Sequence, residues 1–202
     1  MLSPFVLRSA HDAARDIMRG IMTKLGLAAI GCYAIHAAFH LLNGRPEELL
    51  WSCHLGALLV GVGLLWSSPI TNGIGLLFLC MGTPLWLLDL VGGGVFYPTS
   101  SFTHLGGLAI GLCGARRLGM PSGTWWKAVL ALLALILVCR LVTPPSANVN
   151  VAFAIYPGME KVFPSHPVYL ATMMCLAGGY FFVSEFLFRR WVGARPAQGE
   201  KT

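Results

Sequence analysis

Two histidines four residues apart, His36 and His40, and an adjacent Cys53-His54 pair sit inside apolar runs of the stretch "CYAIHAAFHLLNGRPEELLWSCHLGALLVG". On a helix the i, i+4 spacing puts both imidazoles on one face, where His54, His104 or Asp89 would complete a ligand set for a metal ion or haem iron. The same residues also offer nucleophilic chemistry. A thiol at Cys53, an imidazole at His104 as general base and a carboxylate at Asp89 to orient that ring follow the Cys/His/Asp logic of acyl transfer through a thioester, with Arg140 as a clamp for an anionic headgroup. Each feature has a plainer counterpart: a cysteine in an apolar run is ordinarily a small inert hydrophobe, and a histidine pair is satisfied within a helix bundle. Neither an HExxH nor a paired CxxC motif occurs, so metalloprotease and structural-zinc classes find no support. The six cysteines, at positions 32, 53, 80, 113, 139 and 175, are irregularly spaced within apolar runs and do not read as a disulfide framework.

The elements that must position these groups are set by composition. Of the 202 residues 56% are hydrophobic and 11% charged, and the mean hydropathy is +0.70. That balance predicts an all-α polytopic membrane protein. Apolar runs of about twenty residues predict six transmembrane helices, at 22–42, 49–68, 73–93, 101–118, 124–143 and 167–188. Gly82 and Pro84 are expected to kink the third span or end it early. The chain is thus expected to comprise an N-terminal segment, 1–21, with the character of an amphipathic surface helix; a six-span domain, 22–188; and a basic tail, 189–202. "MLSPFVLRSAHDAARDIMRGIMTK" has no small-residue cleavage site, so no cleavable signal is expected.

Charge then orients the spans. Eleven of the 14 Lys and Arg fall in the N-terminal segment, the loop between spans four and five, and the tail; Arg45, Arg140 and Lys161 fall on the other side. By the positive-inside rule the chain is expected in the plasma (inner) membrane with both termini cytoplasmic, and the net charge of +6 reads as orientation, not nucleic-acid binding. In that orientation His36, His40, Cys53, His54, Asp89, His104, Arg140 and His166 share the depth of the outer leaflet. Polar groups in hydrocarbon persist where they face partners or a water-filled cavity, so their common depth predicts a pocket. Membrane lipids are the expected partners, with a membrane protein as a further candidate. The prolines of "TPPSANVNVAFAIYPGMEKVFPSHP" exclude a regular helix there, and "VNVAFAIY" is expected to dip into the interface and lid the pocket. Gly-rich segments such as "GALLVGVGLL" suit close helix packing and also a small transporter or accessory subunit.

The order "ELLWSCHLGALLVGVGLL", "GLLFLCMGTPLWLLDLVGG", "SSFTHLGGLAIGL" and "NVNVAFAIYPGMEKVFPSHPVYL" resembles the YwaF-like family of bacterial integral membrane proteins, itself similar to a mammalian ether-lipid acyltransferase. The resemblance covers roughly residues 47–175 and implies Cys53 or His54 with His104 as the reactive pair, and Asn148 or Asn150 at the outer mouth as substrate-binding groups. The chain departs from the family pattern in the adjacent, reversed Cys and His of "WSCHLG", the missing leading proline, "THLGG" in place of a serine-led start, and the lack of tyrosine in "NVN". The leading expectation is therefore a lipid acyl transferase or hydrolase using Cys53, His104, Asp89 and Arg140 with no cofactor. The alternatives are a metal- or haem-binding redox or sensor protein using His36, His40 and His54 with His104, and a small transporter or accessory subunit.

Overall fold

The computed structural model describes residues 4–193, and among these every regular element is helical. The longer helices are α1 (Pro4–Leu42), α2 (Ser52–Leu65), α3 (Pro69–Val91), α4 (Gly107–Leu118), α5 (Thr124–Val142) and α6 (His166–Val192). Four segments are long and apolar enough to cross a membrane: Arg15–Leu42 within α1, and the whole of α3, α5 and α6. Large apolar side chains such as Leu88, Leu137, Phe182 and Phe186 point outward from the last three, an arrangement that water does not favour. Of the basic tail, Arg195 and Lys201 lie outside the described residues.

The elements depart from the expected spans in three places. The boundary at residue 21 is not a break: α1 continues through it, and no proline interrupts the run from Phe5 to Leu42. Residues 15–20 are exposed, and the first residue described as buried is Met22. The second run yields a helix of only 14 residues, about 21 Å long; Pro46–Leu50 forms a separate 3₁₀ turn before it. α2 is also the most enclosed helix, with glycines at its contacts. A Cβ on Gly61 would stand 2.8 Å from the Gly26 carbonyl oxygen of α1, and one on Gly56 3.0 Å from that of Gly75 in α3, so glycine lets the three backbones meet.

The third departure concerns Pro84. α3 does not end there but runs on to Val91. Proline removes the N–H that would bond the carbonyl four residues back, that of Cys80. The Tyr180 hydroxyl of α6 donates to this carbonyl at 2.7 Å, so a neighbouring helix satisfies the group that the proline frees.

Residues 98–118 are helical but not uniformly so. A single turn, Pro98–Ser101, passes into a π turn, Phe102–Gly106, and then into α4. On the opposite end of the molecule, the buried Glu185 of α6 accepts hydrogen bonds from the Gly123 and Trp125 amides at 3.0 and 2.7 Å, capping the start of α5 from a different helix. The connection 143–165 contains two short 3₁₀ turns, Pro145–Ala147 and Val149–Val151. It lies against the bundle with Val149, Asn150 and Ala152 buried.

Candidate metal centre

α1 carries His36 and His40 one turn apart, and the first turn of α2 brings His54 against them; all three are buried. Their rings meet edge to face, with centroids 4.4 Å apart for His36 and His40 and 4.3 Å for His36 and His54. The contacts run through one kind of atom. His36 Nε2 lies 3.0 Å from His54 Nε2 and 3.1 Å from His40 Nε2, and one ligand nitrogen from each ring lies within 4.8 Å of the other two.

The far nitrogens hold two of these rings in place. His54 Nδ1 lies 2.7 Å from the Glu48 carbonyl oxygen; a carbonyl only accepts, so Nδ1 carries the proton and Nε2 presents its lone pair inward. His36 Nδ1 lies 2.8 Å from the Thr99 hydroxyl. With His54 Nε2 bare, a neutral trio can make only one of the two inward contacts a full hydrogen bond, since the single His36 Nε2 proton would serve both neighbours.

His104 approaches from the π turn, whose extra residue per turn re-aims side chains and recurs at functional sites. Its buried ring stacks on Trp86 at 4.7 Å and lies 6.0 Å from that of His54. Cys53, His54 and His104 also offer ligand atoms within 4.8 Å of one another. Cys53 is pressed against α3 where Gly82 has no side chain to block it. His40 Nδ1 and His104 Nδ1 are buried without a hydrogen-bond partner, each at a cost of about 1–3 kcal/mol.

The remaining expected site residues lie elsewhere. Asp89 is exposed and accepts a hydrogen bond from the Tyr156 hydroxyl at 3.1 Å, so its partner is not His104. Arg140, expected as a headgroup clamp, is engaged by the connection: its Nε donates to the Ala152 carbonyl at 2.6 Å, and its Nη2 lies 3.4 Å from His166 Nδ1. His166 Nε2 lies 2.9 Å from the Val151 carbonyl, which ties both residues to the connection and not to the cluster.

The two asparagines expected to bind substrate are occupied by backbone. Asn148 Oδ1 accepts from the Phe153 and Ala154 amides, both at 2.9 Å. Asn150 Oδ1 accepts from the Ser52 amide at 2.9 Å, and its Nδ2 donates to the Leu50 carbonyl at 2.7 Å. Asn150 thereby clamps the start of α2, two residues before His54. Both asparagines adopt left-handed backbone, with φ of 42° and 51°, a conformation that asparagine tolerates better than most residues.

Outside the helices, the hydrogen bond to Asp89, followed by desolvation, raises the Tyr156 hydroxyl above its ordinary pKa of 10.0. Thr99, Trp86 and Tyr97 complete the surroundings of the histidines. Tyr97 packs 6.0 Å from His40 and accepts a hydrogen bond from Arg45 Nη1 at 2.8 Å. Their types and spacing carry no sequence signal. Glu185 does carry one, as an acid within the apolar run "FFVSEFLF". No family model, curated protein or solved structure matches the chain.

Proposed function

We propose that this chain is an integral membrane protein whose histidine cluster binds a late transition-metal ion, in the service of redox, sensing or ion handling. The observation that carries this reading is the convergence of the three Nε2 atoms. Metal–nitrogen bonds of about 2.0–2.1 Å place neighbouring tetrahedral ligands about 3.3 Å apart, and the contacts of 3.0 and 3.1 Å need little adjustment to reach that edge. A cation on the three lone pairs replaces a hydrogen-bond pattern that neutral imidazoles cannot complete. The Glu48 carbonyl and Thr99 supply the outer partners that orient ligating imidazoles. Haem fits less well, because rings only 4.3–4.4 Å apart leave no space for a macrocycle between them.

In the same reading all six helices cross the bilayer, with both termini cytoplasmic and the centre towards the outer leaflet. The turn Pro46–Leu50 runs through Trp51 into α2, which brings that segment near the length a crossing needs. The continuous helical run that ends in α4 does the same for the fourth. The distribution of Lys and Arg favours the orientation.

The test is metal analysis with an absorption spectrum of detergent-purified protein loaded with copper or zinc, wild type beside His54→Ala. Stoichiometric metal in the wild type and its loss in the variant is the expected result. A metal-free wild type would sink the reading, and a Soret band would replace the bare ion with haem.

A second reading, lipid acyl transfer as the YwaF-like resemblance implies, draws on the proximity of Cys53 to His104. It has Cys53 as nucleophile and His104 as base, but the partner of Asp89 is Tyr156, which leaves that ring without its expected orienting acid. Lipid turnover unchanged by Cys53→Ala and His104→Ala would remove it.

A further inference from the structure

Two candidate ligand sets occupy this region, and they overlap in one residue. His36, His40 and His54 form the first; Cys53, His54 and His104 form the second. His54 has only one nitrogen to offer, because its Nδ1 is committed to the Glu48 carbonyl at 2.7 Å. The remaining Nε2 has a single in-plane lone pair and bonds one metal ion at a time. Resting on the metal reading above, we infer that the two sets are alternate stations for one Cu(I) ion, which passes between them while His54 stays bound.

The ligand types select the ion. Thiolates favour Cu(I) and Zn(II), and imidazoles accept both. Charge then separates the two. Cu(I) on the Cys53 thiolate is neutral overall, and on three imidazoles it carries a single positive charge, whereas Zn(II) leaves one more unit in each station. Buried net charge is costly, and the nearby Glu48 carboxylate is already engaged with the Trp51 indole N–H.

The surroundings give the path its ends. The three-histidine station adjoins the exposed Arg45 through His40 and Tyr97. The thiolate station is backed by Trp86 and by Gly82 of α3. Transfer balances simply: the Cu–N bonds to His36 and His40 break, bonds to Cys53 sulfur and a His104 nitrogen form, and the thiol proton is released to solvent. No electron moves.

The test is anaerobic Cu(I) titration against a chromophoric chelator, with X-ray absorption at the copper edge, on detergent-purified full-length protein. Wild type should bind one Cu(I) per chain. His40→Ala should also bind one, with a sulfur shell at about 2.3 Å, as in metal thiolates. Cys53→Ser should bind one with nitrogen neighbours only, and His54→Ala should lose at least 100-fold in affinity. Two ions per wild-type chain would overturn the inference, as would loss of all copper from either His40→Ala or Cys53→Ser. His104→Ala repeats the Cys53 test on a second ligand should that variant fold poorly. A wild type that binds no Cu(I) but retains another metal overturns this inference alone; one that binds no metal overturns the metal reading with it.

Discussion

At the scale of single residues, what holds the imidazoles decides what they can do. Thr99 touches no metal in the proposed centre but fixes the His36 ring through Nδ1, and outer partners of this kind are worth about 10–100-fold in metal affinity. Thr99→Val keeps the shape and removes the hydroxyl, so it should weaken binding by that factor in a chelator competition while leaving one ion per chain. The pair His36 and His40 was legible from spacing alone, and Cys53, His54 and His104 from their common depth. The separate partners of Asp89 and Arg140 were not, because an expected depth says nothing about azimuth: residues at one level of a bundle face different neighbours around it. Asn148 and Asn150 illustrate a different limit. Their amide groups are as well suited to backbone as to substrate, and the turns that absorb them depend on chain geometry that composition does not record.

At the scale of elements, hydropathy located the helices and missed how backbone groups are satisfied inside them. Pro84 was a recognisable breaker, yet α3 continues because Tyr180, almost 100 residues downstream, supplies the missing donor. Tyr180→Phe should therefore cost about 1–2 kcal/mol in reversible unfolding from mixed micelles. In a Pro84→Ala background, where the restored N–H bonds Cys80, the same change should cost close to nothing, and a double-mutant cycle measures the difference. The connection 143–165 makes a pH prediction. The hydrogen bond to Asp89 raises the Tyr156 pKa above 10.0, so its contribution is fully present below pH 10 and is lost as pH rises through the higher folded value. Proteolysis of this connection should accelerate above that point in the wild type, and Tyr156→Phe should be cleaved at a rate that no longer changes there.

At the scale of the whole molecule, charge placement and helix lengths make the topology testable. Reporter fusions at both ends should read out on the cytoplasmic face, and a cysteine placed at Gly158 should react with an impermeant reagent from outside; labelling from the inside would invert the proposed arrangement. The all-helical class was legible because apolar content of this order leaves few other options. The 14-residue α2 was not, because an enclosed helix and a lipid-facing one are equally apolar. The unbroken α1 has a mechanical consequence. From Met18 to His36 it is a proline-free rod of about 27 Å, so tilting or twisting at its histidine end is delivered, with little loss to bending, to the far end where Met18 meets Arg117.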